Sequence, residues 1–403
     1  MTKSPITFIA LGSINEIAAQ DWDACIRPHA TEPSGNQDVD SPLACNPFVS
    51  HAFLSALEDS GSACADTGWA PQHLVMQQSE EIVGIAPTYL KSHSRGEYVF
   101  DHGWAEAFMR AGGDYYPKLQ VSVPFTPATG PRLLVRAGHD RAAISEHLAK
   151  GLIALCHQQE ASSVHVTFAP EDEWRVLEAC GFLPRIDQQF HWRNEGYGNF
   201  EDYLASMNAR HRKAVRRERR EAVSNGITIH WLTGADITED ALDAFFAFYM
   251  ETGSRKYGRP YLTRAFYALI RERMPQAILL VMAKRNGKWI GGAINFIGAD
   301  TLFGRHWGAI EHHPFLHFEV CYYQAIEFAI QHGLQWVEAG AQGEHKLARG
   351  YLPRTTYSAH YIAHPGLRRA IADYLAMERR HVEQAGEELA AYAPFRQAPN
   401  EPD

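Results

Sequence analysis

Between residues 227 and 362 the hydrophobic spacing of this 403-residue chain changes period in an order that leaves few folds open. Short alternating or apolar runs read as strands at 227–232, 277–284, 289–297, 301–307, 334–338 and 355–362. Spacings of three to four read as helices at about 239–250, 263–273 and 317–332, and Arg285-Asn286-Gly287 marks a hairpin turn. A long helix at about 367–391 follows, with Leu367, Ile371, Leu375, Val382 and Leu389 on one side. Strands and helices therefore interleave, which predicts a mixed α/β fold.

The first half repeats the theme. A strand at 6–11 leads into Ser13 and Glu16, a capping box that predicts a helix toward Ile26. Asn46 and Pro47 suit the first turn of a helix ending at Gly61, and extended segments follow at 73–78, 82–90 and 98–101. Asp140 opens a helix through Ile144, Leu148, Leu152 and Leu155, then come a strand at 163–168, a helix from Pro170 to Cys180 and a strand at 182–192. Gly196 and Gly198 mark a linker, giving domains 1–195 and 196–403. Leu74-Val75-Met76 echoes Leu280-Val281-Met282, and Phe100–Trp104 echoes Phe303–Trp307, as expected of a duplication.

Charge excludes some classes of function. With 38 Lys and Arg against 47 Asp and Glu the net charge is −9, so the chain is no basic nucleic-acid coat. No apolar run approaches the ~18–20 residues of a membrane-spanning helix, and the first residues turn acidic too soon for a secretory signal. A cytoplasmic protein without integral membrane contact is expected. The six cysteines lack CxxC spacing and read as buried free thiols. His312, His313 and His317 have neither HExxH spacing nor an acidic companion cluster, so no metal is expected.

Taken in order, several segments carry a resemblance: NPFVSH at 46–51, HSRGEYVFDHGW at 93–104, YYPKLQVSVPF at 115–125, residues 189–192 and 211–220, GRHWG at 304–308, LHFEVCYY at 316–323 and GAQGEHKLARG at 340–350. As a set they resemble the FemAB-like family of N-acyltransferases, relatives of the Fem peptidoglycan aminoacyltransferases. The element order of the second half is also similar to the GNAT acyltransferase fold. The resemblance implies two tandem GNAT-like domains with a C-terminal amphipathic helix. It also implies transfer of an acyl or aminoacyl group from acyl-CoA or aminoacyl-tRNA to an amine, of a small molecule or a cell-wall precursor.

Acyl transfer to an amine needs a base, a held donor and hydrogen-bond donors for the oxyanion. The glycine-rich stretch with Gln342, His345, Lys346 and Arg349 follows a strand, so its amides can approach a ligand. Fem enzymes carry a lysine before a Gly-aromatic pair, and Gly350-Tyr351 resembles that pair, which makes Lys346 the preferred counterpart and Arg349 the alternative. An ordinary surface turn with a solvated lysine is the plain reading.

Glu319 and His317 sit among apolar neighbours where a raised pKa would suit a general base, although an acid in a first helical turn is also favoured by the macrodipole. Arg305 and Trp307 end a strand at the donor edge of GNAT-like folds, or else are a solvated cation and a core ring. The residues between Trp307 and His317 lack the R/Q-x-x-G-x-G/A loop that grips the coenzyme A pyrophosphate. A basic helix at about 202–224 carries Arg210, Arg212, Lys213, Arg216, Arg217, Arg219 and Arg220, too many for Glu218 and Glu221 to neutralise, and suits phosphates of tRNA, a nucleotide-linked precursor or CoA. Lys118 and Arg132 flank a Pro- and Thr-rich loop, a cleft wall for the acceptor or a rigid turn. The competing expectation is a non-catalytic RNA- or nucleotide-binding protein on the same fold.

Overall fold

The computed structural model describes residues 5–27, 45–255, 260–340 and 343–396. In chain order the strands are β1 (Ile6–Leu11), β2 (Trp69–Pro71), β3 (His73–Gln78), β4 (Glu81–Ala86), β5 (Thr88–Lys91), β6 (Lys118–Val121), β7 (Leu134–Val135), β8 (Ser163–Ala169), β9 (Leu183–Arg193), β10 (Ile227–Leu232), β11 (Ile278–Arg285), β12 (Lys288–Ile297), β13 (Thr301–Ala309), β14 (Trp336–Glu338) and β15 (Leu352–Ile362). The helices are α1 (Ala19–Asp23), α2 (His51–Asp59), α3 (His102–Arg110), α4 (Arg141–Gln158), α5 (Glu171–Ala179), α6 (Phe200–Ser206), α7 (Ala209–Ala222), α8 (Glu239–Arg255), α9 (Arg264–Arg273), α10 (Leu316–Phe318), α11 (Gln324–Gln331) and α12 (Pro365–Ala390).

Two compact units are interleaved along the chain. Unit 1 takes Met1–Asp187, Tyr261–Met274 and Thr355–Val382, and unit 2 takes Gln188–Pro260, Pro275–Arg354 and Glu383–Asp403. Most of the C-terminal helix thus belongs with the first unit rather than the second half: Ile371 and Leu375 are buried against Trp104, Ala105 and Tyr115.

In unit 1, β1, β3, β4 and β7 form one antiparallel sheet. A second run of strands, β15-β8-β6-β5-β2, is antiparallel except for the parallel pair β6–β8. Helix α4, capped by Asp140 on the amide of Ala143, lays Ile144, Leu148, Leu152 and Leu155 into a core with Met76, Val83, Val164 and Val166. Gly84 permits this approach, since a Cβ there would stand 2.7 Å from Ile144.

In unit 2 the order is β10-β11-β12-β13-β14-β9, antiparallel except for the parallel pair β13–β14. Helix α8 lies so close to β13 that a Cβ on Gly308 would fall 2.1 Å from the carbonyl oxygen of Phe248. Leu74–Met76 lies in the middle strand of β1-β3-β4, and Leu280–Met282 in the middle strand of β10-β11-β12, so this echo marks matching places.

Several local expectations change. The capping box at Ser13 and Glu16 forms, yet it closes only a 3₁₀ turn, and α1 starts separately. Asn46 caps a short turn at Pro47–Val49, and Ser50 caps α2. Residues 98–101 are not a strand: Tyr98 has φ +60° and Asp101 precedes α3, so Phe100–Trp104 and β13 are not equivalent. The basic segment breaks at Met207 and Asn208, whose side chain caps α7, giving two helices where one was expected. Cys25 and Cys156 are buried, as the sequence suggests, whereas Cys45, Cys64, Cys180 and Cys321 are only partly so.

Candidate active site

Unit 2 builds its site where the parallel pair stops. Strand β14 matches β13 only from Thr301↔Trp336 to Phe303↔Glu338. The next residue, Gly304, is so close that a Cβ would lie 3.3 Å from the carbonyl oxygen of Glu338. A register shift against β12 then leaves Arg305 as the extra residue between Gly304 and His306, a bulge that re-aims the strand end carrying Trp307. Bulges of this kind recur beside active sites because they present side chains a regular ladder would turn away.

Beyond β14 the carbonyls of Ala339 and Gly340 have left the ladder, and Lys346 takes them. Its Nζ donates to Ala339 O at 2.6 Å and to Gly340 O at 2.9 Å. The lysine rides on a 3₁₀ turn, Glu344–Arg349, and is only 3 % exposed. Burial pulls its pKa down to about 8. Nearby His191, whose pKa burial and the charges of Arg354 and Lys346 lower to about 3, is neutral. Two of the lysine's three N–H groups are thus committed to carbonyls, and among the described side chains no carboxylate lies in hydrogen-bond reach of the third.

Trp307, His317, Phe318, Tyr322 and His345 gather into a partly exposed ring cluster. Trp307 and His317 have centroids 5.2 Å apart, His317 and His345 6.3 Å, and Phe318 stacks on His345 at 5.6 Å. His345 Nε2 meets Tyr322 OH at 3.1 Å. Partial burial first, then Arg349 and Lys346, lower the His345 pKa, so this imidazole is neutral at pH 7. Phe315 at φ +61° and a π-helical turn at Glu319–Tyr323, between α10 and α11, give this segment its shape. Such wide turns are common at functional sites.

Glu319 does not stand free as a base. Arg219 grips both its oxygens, with contacts of 2.9 to 3.2 Å, and Gln324 donates at 2.6 Å. The sequence placed this carboxylate among apolar neighbours, whereas the partner that holds it lies 100 residues away in the chain. Arg349 is likewise buried and committed: Nη2 reaches Glu218 at 2.7 Å, Nη1 reaches His345 O at 2.6 Å, and the guanidinium lies 3.4 Å above Phe318. On α7, Arg219 turns inward, Arg216 pairs with Glu201 and Arg217 with Glu221. Arg212 reaches Met207 O and stays partly exposed, while Arg210, Lys213 and Arg220 face solvent. Gln342 lies outside the described residues, and Arg305 is half-buried on the bulge.

A family model described as peptidoglycan biosynthesis/recognition matches residues 13–397. The chain belongs to the FemAB-like family. No curated protein matches it. Among solved structures, FemX is 12 % identical over 88 % of this chain and 98 % of its own, with a TM-score of 0.53. A conserved protein from Bacteroides thetaiotaomicron VPI-5482 is 12 % identical over 89 % and 99 %, with a TM-score of 0.50. A tandem GNAT protein of the clavulanic acid pathway is 14 % identical over 90 % and 99 %, with a TM-score of 0.46. At such identities the likeness is one of fold. The FemAB-like chain has no helix, among the described residues, long and apolar enough to cross a membrane, and no three His, Cys, Asp or Glu side chains there gather as a metal set.

Unit 1 of this FemAB-like chain treats its candidates differently. Lys118, fully buried, donates to Glu97 at 2.6 Å, Asp101 at 2.5 Å and Ser94 at 2.8 Å. Arg132 donates to the carbonyls of Ala128, Gly130, Pro131 and Thr167, holding its own loop. Neither is placed to grip a substrate, because sealed side chains with satisfied donors have nothing to offer one. Sequence reasoning also missed the set around Lys118. Lys91, directly opposite it across β5–β6, has its pKa lowered by burial to about 7 and lies 3.7 Å above the Trp69 ring. Burial raises Glu97 to about 7. For Asp101 burial pushes upward, but Lys118 and His165 outweigh it and hold the carboxyl well below its usual range. Buried His165 and His360 share a 2.7 Å Nδ1–Nδ1 contact. No local signal announces this cluster, since its members lie far apart in sequence.

Proposed function

We propose that this FemAB-like chain is an N-acyltransferase whose second unit carries the chemistry, acting on an amine of a peptidoglycan-related precursor. The observation that supports it most is Lys346, a buried cation fixed by two backbone carbonyls at the end of a parallel strand pair, with a third N–H that no described group takes. The amine nitrogen attacks the carbonyl carbon of the donor, forming the new C–N bond. Charge collects on the carbonyl oxygen, where the spare Lys346 N–H and its positive charge stabilise it. The ester oxygen or thioester sulfur then leaves with the electron pair of the broken bond. Neutral His345, or His317 beside it, takes the proton from the attacking nitrogen and returns one to the leaving atom. Glu319 keeps Arg219 in place and takes no part in proton transfer. Arg212 and Lys213, with Arg216 at the same face, suit the phosphates of a precursor or of tRNA.

Purified protein is heated with acetyl-CoA, long-chain acyl-CoA, aminoacylated tRNA and uncharged tRNA in parallel. A ligand at 100 times its Kd adds about 2.7 kcal/mol of stability. Selective stabilisation by charged tRNA supports aminoacyl transfer, and a shift with a CoA ester supports a thioester donor despite the missing pyrophosphate loop. Equal response to charged and uncharged tRNA, with no response to thioesters, would instead support a binding protein that has lost the chemistry.

A further inference from the structure

We propose that Glu218 is a positioning residue for Lys346, acting through Arg349; this rests on Lys346 being the oxyanion partner in acyl transfer. The lysine's turn is poorly held by itself. It is a 3₁₀ segment, whose hydrogen bonds are weaker than those of an α-helix, and glycines flank it at φ +114° (Gly343) and +77° (Gly350). Something outside the turn must fix where the Lys346 backbone sits, and the hydrogen bonds lead to α7.

Two bonds make the connection. The Glu218 carboxylate receives Arg349 Nη2 at 2.7 Å, and Arg349 Nη1 donates to the carbonyl of His345 at 2.6 Å, the residue before the lysine. Three further contacts aim the guanidinium and its segment. Phe318 lies beneath it at 3.4 Å, Tyr323 OH donates to the same Glu218 oxygen, and Tyr203 OH donates to Arg349 O at 2.7 Å. Groups from α6, α7 and the helical segment 316–323 thereby converge on one arginine whose outer end touches the catalytic turn. Both charges are buried, so water is a poor substitute for either partner and the pair holds its geometry firmly.

The downstream end is equally specific. Lys346 Nζ must reach two carbonyls at once, Ala339 O and Gly340 O, and a misplacement of about 1 Å is enough to degrade such an arrangement. The neighbouring Arg219 ties α7 to Glu319 and Glu327, which braces the helical segment but does not touch the turn. Glu218, through Arg349, is the link from α7 that reaches the lysine's own backbone.

Two variants of the full chain test this. Glu218→Gln keeps shape and removes the charge; Arg349→Lys keeps charge and removes the second prong. Amide hydrogen exchange at 344–351 is measured together with the pH profile of Lys346 modification by limiting acetic anhydride. In both variants exchange at 344–351 rises at least ~10-fold while β11 and β12 stay protected, and the modification midpoint moves up from near 8 toward that of an ordinary lysine. Arg217→Ala, which removes an exposed ion pair on the same helix, leaves both readouts unchanged. Exchange within about twofold of wild type together with an unmoved midpoint would overturn the proposal. Should one variant not fold, the other decides. Because neither readout requires turnover, a wild-type protein that transfers no acyl group would remove the acyltransferase reading and leave this result standing.

Discussion

Among the described residues each unit has a parallel strand pair with a buried lysine beside it, Lys118 in unit 1 and Lys346 in unit 2, and these two are treated in opposite ways. In unit 1, where β6 and β8 part after Val121↔Val166, the carbonyls of Thr167 and Phe168 are taken by Arg132 Nε and by the amide of Gly130. The chain's own loop fills that position. Lys118 is locked between two carboxylates, and although burial would lower its pKa, Glu97 and Asp101 outweigh burial and raise it. In unit 2 the corresponding carbonyls go to a side chain, Lys346, which has no carboxylate against it among the described side chains and whose pKa burial lowers. A cation surrounded by anions is finished structure. One held by dipoles still has charge to give, and this is the physical difference between a core lysine and a catalytic candidate.

The sharpest way to break the comparison is to remove the lysines in turn. Lys118→Met strands two buried carboxylates and should cost roughly 3–5 kcal/mol in guanidinium unfolding, the scale for losing one partner of a buried pair. A loss below about 1 kcal/mol would mean that Lys118 and its two carboxylates are not held as ions in the folded protein. Lys346→Ala should instead lower turnover at least ~100-fold in a folded protein, once the donor is known. Near-normal turnover would remove this lysine from the mechanism. Arg132→Ala leaves several carbonyls without a donor and should cost about 1–3 kcal/mol in thermal unfolding without changing ligand binding by unit 2; lost binding with unchanged stability would make Arg132 a ligand contact rather than a brace for its loop.

The smallest effect sharpens the comparison through its sign. For Lys346 the unfolded chain binds the extra proton between pH 8 and 10.5, so its contribution to stability grows as pH rises through that window. For Lys118 the folded pKa lies above 10.5, so its contribution is complete below that pH and is lost only as pH passes the folded value. Stability differences between wild type and the two Met variants, followed from pH 8 to 10.5, should therefore diverge for Lys346 and stay flat for Lys118. Parallel curves would mean that the two environments are alike.

Local features are the ones legible in the sequence. Helix α4 announces itself through Asp140 and four apolar residues at helical spacing, and β11, β12 and β13 through short apolar runs with a glycine turn between the first two. Lys346 stands out in the sequence because its place between a strand and Gly350-Tyr351 is sequential, but its burial on the turn Glu344–Arg349 does not, since the plain reading there is a solvated side chain. Glu319 misleads because its neighbours in sequence are apolar, whereas its neighbour in space is Arg219. The seven cations of α7 are alike in sequence, but burial sorts them: Arg219 is consumed inward while Lys213 stays outside. Asp101 reads as the end of a strand because nothing nearby reveals that Lys118, seventeen residues on, requires it at the head of a helix.

The wide turn at Glu319–Tyr323 has a consequence for which changes this chain can absorb. Between α10 and α11 it adds a residue to the winding without ending the rod, and each residue of an α-helix advances the side chains by about 100°. Removing one residue from 319–323 would keep a helix there, yet rotate His317 and Phe318 away from Trp307 and Arg349 while α11 stayed in register. Substitutions in this turn are thus a matter of chemistry, but its length sets the phase between two halves of one helix, and a single-codon deletion would be more damaging than most replacements.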